Sequence, residues 1–170
     1  MEDNTKSSAI IGFVDKNIGL IKKIEMISFS ILSFGIIFYV LQITDYNFLL
    51  ITGSLLTAIS LFLQAFKIVE FEDFEPYNLL GSLGFINFIY KLYFFSLSIS
   101  SLSMIGFIYT FKKSNQMGVC GGLTLIVVLI LSVFTKGQNK SKVYSSKFYI
   151  RIFICLLLLT YLATERGLIK

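Results

Sequence analysis

The sequence predicts an all-α fold, an integral membrane helical bundle of four or five transmembrane helices, arranged as two tandem helical hairpins plus a C-terminal helix. Three observations predict it. Of the 170 residues, 55% are hydrophobic and only 15% charged, where an average globular domain carries about a quarter charged residues. The apolar residues arrive in blocks of about twenty, which at 1.5 Å per residue cross about 30 Å of hydrocarbon. Two short polar knots, TDYN at 44–47 and KKSN at 112–115, each separate one such block from the next, as in an antiparallel pair of helices.

Residues 1–23 form an N-terminal cytoplasmic or interfacial segment. Ile10, Phe13, Val14, Ile18 and Ile21 fall on one helical face while Asp15, Lys16, Asn17 and Lys22 lie elsewhere, the pattern of a helix resting on the membrane surface. Charges on both sides of a weak apolar stretch, with no small-residue cleavage pattern, argue against a signal peptide. The bundle follows over 24–135, with crossings at 24–43, 48–66, 92–111 and 117–135. An acidic connector at 67–78 holds Glu70, Glu72, Asp73 and Glu75 before Pro76, the single proline; proline fits the first turn of a helix, and carboxylates suit its positive end. The apolar run from 79 to 111 is too long for one upright crossing. A break near Asn87 to Lys91 would give an interfacial helix at 79–90, and one long tilted helix is the alternative.

A basic loop at 136–147 leads to a C-terminal apolar helix and tail at 148–170. Its apolar core, 148–162, holds fifteen residues and includes Arg151, which is short for a crossing. Four and five crossings both place most of the fifteen basic residues on the side of the N-terminus, so the positive-inside rule orients the chain N-terminus in without fixing the fate of the last segment. At an offset of 69 to 70 residues the two hairpins pair Tyr39 with Tyr109, Asp45 with Asn115 and Gly53 with Gly122, the layout of a parallel tandem repeat.

Function is narrowed mainly by exclusion. The chain has no histidine, which removes imidazole chemistry and imidazole metal sites. No catalytic, cofactor-binding or metal-ligating set emerges. The acidic connector lacks the glycine and ligand order of a calcium loop, and Gly118, Gly121 and Gly122 do not form a phosphate cradle. Cys120 and Cys155 read as small apolar filler. The net charge of +5 is spread between apolar blocks, which fits membrane topology and not nucleic acid. The expected partners are the lipid bilayer and, through it, other membrane proteins or further copies of the chain.

Two stripes stand out. Gly53, Thr57, Ser60 and Gln64 lie at i, i+4, i+7 and i+11 of the second crossing, and Ser96, Ser100 and Ser103 share a face of the third. Small and hydroxyl-bearing stripes let membrane helices approach closely and hydrogen-bond. Together with Asn87 and Lys91 they could instead line a polar path for a small solute between helices two and three. Lys91 is read as snorkelling to the interface, on the expectation that no acidic residue lies inside any predicted crossing to serve as its partner or as a proton carrier.

The stretches LQITDYNFLLITGSLLTAISLFL at 41–63 and FKKSNQMGVCGGLTLIVVLILSVF at 111–134 resemble small inner-membrane proteins of Bacteroidota, including the membrane hairpin of the gliding-motility and type IX secretion motor subunit. The resemblance implies a bacterial inner-membrane protein. It departs from that family at the turns, ThrAspTyrAsn at 44–47 and SerAsnGlnMet at 114–117, and Thr57, Ala58 and Ile59 stand where an acidic residue is expected. Neither motor function nor any site residue carries over. The expectation is therefore a multi-pass, non-enzymatic scaffold or accessory subunit of a membrane complex, with a small transporter or channel as the alternative.

Overall fold

A computed structural model describes residues 3–43, 46–67, 83–109, 113–136 and 145–165. They form five helices: α1 (Asp3–Val40), α2 (Tyr46–Gln64), α3 (Leu83–Ile108), α4 (Ser114–Lys136) and α5 (Ser146–Glu165). Each is long and apolar enough to cross a membrane. A helix satisfies its own peptide groups, which is why a chain solvated by acyl tails adopts it throughout. Residues 68–82 and 137–144, which hold most of the acidic connector and of the basic loop, lie outside the described residues.

Three sequence expectations change. The segment before residue 24 is not a separate surface helix, because α1 runs unbroken for 38 residues and is about 57 Å long, well beyond one bilayer core. Nor does a break occur near 87–91. Residues 83–90 of the expected interfacial helix continue into α3, a 26-residue helix, while 79–82 are outside the described residues. Lys91 is exposed on its flank, so a single tilted helix carries it without interruption. Finally, α5 has 20 residues and about 30 Å of length. Counting only its apolar residues understates it, since Thr160 donates to the Leu156 carbonyl and Thr164 to the Tyr161 carbonyl, so these hydroxyls add no unsatisfied group.

Neighbouring helices pack in chain order, α1 on α2, α2 on α3 and α3 on α4, with α5 against α3 and α4. The central strut is α3, with 61% of its most apolar window buried, against 22% for α1. Ile89, Phe94, Leu97 and Phe107 of α3 meet Leu61 of α2, Leu125 and Val128 of α4, and Ile152 and Leu159 of α5 in one core. α1 is the peripheral member and leaves Met26, Ile27, Phe34 and Ile37 outside.

The two hairpins share one packing register. A Cβ placed on Gly53 would stand 2.6 Å from the backbone nitrogen of Leu32, and one placed on Gly121 would stand 3.2 Å from the backbone nitrogen of Ser100. Both members of the pair shift by 68 residues. The same shift carries Gly35 against Leu50 onto Ser103 against Gly118. The repeat pairing is thereby corrected from Gly53 with Gly122 to Gly53 with Gly121. Gly122 faces Leu159 and Leu156 of α5 instead. The turn after α1 is also earlier than expected. Gln42 adopts a left-handed φ of 54°, with Ile43 donating to the Phe38 carbonyl and Gln42 to that of Tyr39, the bond pattern that closes a helix with a left-handed residue just past its end.

Candidate functional site

The small-residue stripe of α2 builds the first part of the site by bringing α1 close. Gly53 admits the backbone at Leu32. One turn on, Thr57 donates to the Ser28 hydroxyl at 3.1 Å, and Ser28 in turn donates to the Glu25 carbonyl at 2.9 Å. At the end of α2, Gln64 reaches across to donate to Glu25 Oε2 at 2.8 Å. An antiparallel helix pair stays in step over these three levels, so the glycine fixes where the glutamine and the glutamate meet.

α5 supplies the charge that completes the cluster. Phe148 stacks on Tyr93 of α3 with ring centroids 4.2 Å apart, and Ile152 is fully buried. These two contacts set the first turns of α5. Arg151, between them in sequence, places Nη1 3.0 Å from Glu25 Oε1. Both carboxylate oxygens of Glu25 are thus engaged, one by a guanidinium and one by an amide. The Glu25 side chain is 11% exposed and that of Arg151 43%, so the carboxylate is held inside while the cation reaches outward. Arginine suits this role because its planar fork keeps further donors free after one pairing; only two of the chain's fifteen basic residues are arginine.

Beside the cluster lies a cavity of about 680 Å³ bounded by α1, α2, α3 and α5, within the size range of small-molecule sites. It is two-ended. Lys22, Glu25, Gln64, Lys147 and Arg151 gather at one end, and Phe29, Phe94, Leu97, Met104 and Ile154 form the remainder. A separate small pocket of about 10 Å³ is lined by Leu32, Leu50, Met104 and Leu158. The polar end is close to where the crossings start and stop, since Gln64 ends α2 and Arg151 is five residues into α5. Ionisable groups near the ends of membrane helices are far less costly than at the bilayer centre.

Glu25 carries the site, and sequence reasoning gave it no part. The signal was present: it lies in the first predicted crossing, Arg151 lies in the last apolar run, and ionisable residues of opposite sign in separate crossings are candidates for each other. Of the residues picked from the sequence, Gly53, Thr57 and Gln64 join this region, and Ser60 bonds back to the Thr57 carbonyl. Ser96 does likewise to Leu92 and Tyr93. Ser100 and Ser103 face Gly121 and Gly118 on α4. Lys91 is exposed and Asn87 half-buried, both on α3 and neither lining the cavity. The two stripes therefore turn to different neighbours, α1 and α4, and do not meet as the walls of one path between α2 and α3. That seam is closed in part by Ser98, which donates to the Ala58 carbonyl at 2.9 Å. Of the cysteines, Cys155 is buried and lines the cavity, while Cys120 is exposed. Among the described residues, no three or more Cys, Asp or Glu gather as metal ligands would.

Comparison with protein-family models, with curated proteins and with solved structures finds no match.

Proposed function

We propose that this chain is a non-enzymatic subunit of a bacterial inner-membrane assembly, with its N-terminus in the cytoplasm, and that it works by holding a bilayer-soluble ligand in the cavity beside α1 and α5. One observation carries the reading: a cavity of about 680 Å³ that joins a charged cluster to an apolar wall. Such a wall suits an amphiphile, whereas a path between α2 and α3 would need both polar stripes, and these turn to different neighbours. The bias of basic residues towards the N-terminal side supports the orientation, and the resemblance of residues 41–63 and 111–134 supports the compartment. The absence of histidine leaves little for general acid–base catalysis near neutral pH.

A photo-crosslinking amino acid at Ile154, inside the cavity, and another at Val127, on the outer face of α4, test this in intact membranes. Enriched capture of a membrane-soluble molecule at 154 over 127 is the expected result. Solute or ion flux in reconstituted vesicles that disappears with Gln64→Leu, in a folded variant, would favour the channel instead. Cysteines at Ser141 and Gln116 test the orientation: the first should be shielded from an impermeant thiol reagent in whole cells and the second labelled.

A further inference from the structure

We propose that the cavity is a site for an anionic amphiphile, a lipid with a phosphate-bearing headgroup, whose anion sits among Lys22, Lys147 and Arg151 and whose acyl chain lies along Phe29, Leu97 and Ile154. The inference rests on the binding role given above and names the ligand class. Charge comes first. The polar end presents three cations and one carboxylate, and the carboxylate is already committed to Arg151 and Gln64. Lys22 and Lys147 are exposed at the mouth, and neither forms an ion pair among the described residues. Among the described residues the site is therefore cationic beyond its own counter-ion, as suits an anionic lipid headgroup.

A second, independent observation lies deeper. The Tyr93 side chain is 2% exposed and lines the cavity, yet its hydroxyl has no hydrogen-bond partner of good geometry. The Arg151 guanidinium is near enough to donate to it but cannot serve as its acceptor, since guanidinium only donates. A buried O–H left without an acceptor costs free energy. A headgroup oxygen beside Arg151 would accept from Tyr93 and from the guanidinium together.

Charge separates a lipid from a helix. A cationic mouth beside an apolar wall matches an anionic headgroup followed by an acyl chain, whereas a transmembrane segment would have to bring its own anion to the level of Lys22, Lys147 and Arg151.

The full chain, purified in detergent, is mixed with phosphatidylglycerol or phosphatidylcholine of the same acyl chains, and retained lipid is read by native mass spectrometry. Retention of phosphatidylglycerol should exceed that of phosphatidylcholine, and Lys22→Gln with Lys147→Gln should weaken it about fivefold for each charge removed. Both lysines are exposed, and unchanged helicity and monodispersity would show that the variant folds. A phosphatidylglycerol with a diazirine in its acyl chain should label the peptides holding Phe29, Leu97 and Ile154. Equal retention of both lipids, or retention that ignores the two lysines, overturns the proposal while leaving the binding role standing if the cavity is still labelled. Labelling confined to the outer face of α4 overturns both. Crosslinks between copies through cysteines at Ser30 and Ile154 overturn it in favour of a second chain as the occupant.

Discussion

The two hairpins are built on one packing register and filled differently. Gly53 lies against Leu32 in the first, and Gly121 against Ser100 in the second. At the levels occupied by Glu25 and Gln64 in the first, the second carries Tyr93 and Ser132, each displaced by the same 68 residues. Tyr93 stacks on Phe148, and Ser132 folds its hydroxyl back to the Leu129 carbonyl. The first hairpin therefore presents a carboxylate and an amide at this level, whereas the second presents an aromatic ring packed on α5 and a hydroxyl turned back on its own helix, although α3 shares the cavity wall. Backbone approach and chemistry are separable in such a bundle: small residues set where helices meet, and a few long polar side chains decide what the meeting place can hold.

The sharpest way to break the comparison is at its two glycines. Gly53→Ala puts a methyl on the backbone of Leu32, which cannot yield without moving α1, whereas Gly121→Ala meets the Ser100 hydroxyl at 2.5 Å before the backbone at 3.2 Å, and a hydroxyl can rotate. Overpacking costs typically 1–3 kcal/mol, so Gly53→Ala should cost about 3 kcal/mol and Gly121→Ala about 1. Unfolding of the detergent-solubilised protein by denaturant titration measures both. Equal losses would mean that the hairpins do not differ in how tightly their backbones meet.

Charge comes next. Arg151→Leu leaves Glu25 almost enclosed without its cation, a loss of about 2 kcal/mol once discounted for the exposure of the arginine. Adding Glu25→Leu should restore much of it, and the double-mutant cycle gives the coupling directly. Tyr93→Phe, at the equivalent level of the second hairpin, should cost nothing or slightly stabilise, because the hydroxyl it removes has no partner of good geometry. A large loss there would mean that the second hairpin also depends on a polar contact.

Smaller effects refine the first hairpin alone. Gln42→Gly relieves a left-handed residue and should raise stability by about 1 kcal/mol, read as a higher midpoint of thermal unfolding. Ser28→Ala removes the acceptor of Thr57 and should cost about 0.6 kcal/mol, the average for hydrogen bonds between membrane helices. A cost of several kcal/mol would instead make the hydroxyl pair the main tie between α1 and α2.

The apolar segments, their order and the pairing of the first four crossings as hairpins follow from the sequence, because lipid admits few alternatives to an apolar segment that satisfies its own peptide groups; whether the last segment is long enough to cross does not. So does the packing face of α2, since Gly53, Thr57 and Gln64 recur at helical spacing and meet one neighbour. The continuity of α1 and α3 was not legible, as a chain may enter a bilayer along a surface helix or a protruding one with the same apolar pattern. The true register of the repeat was hidden for a related reason: Gly121 and Gly122 are adjacent in sequence, and only the helices they approach, α3 and α5, tell them apart. Glu25 and Arg151 lie 126 residues apart in the chain, and their meeting depends on where α5 docks on α3 through Phe148 and Ile152. The sequence by itself determined which segments leave water, because transfer into hydrocarbon is a local property of about twenty residues. Which polar groups meet, and the cavity they border, was decided by tertiary packing alone, because that depends on the rotation and depth of each helix against the others.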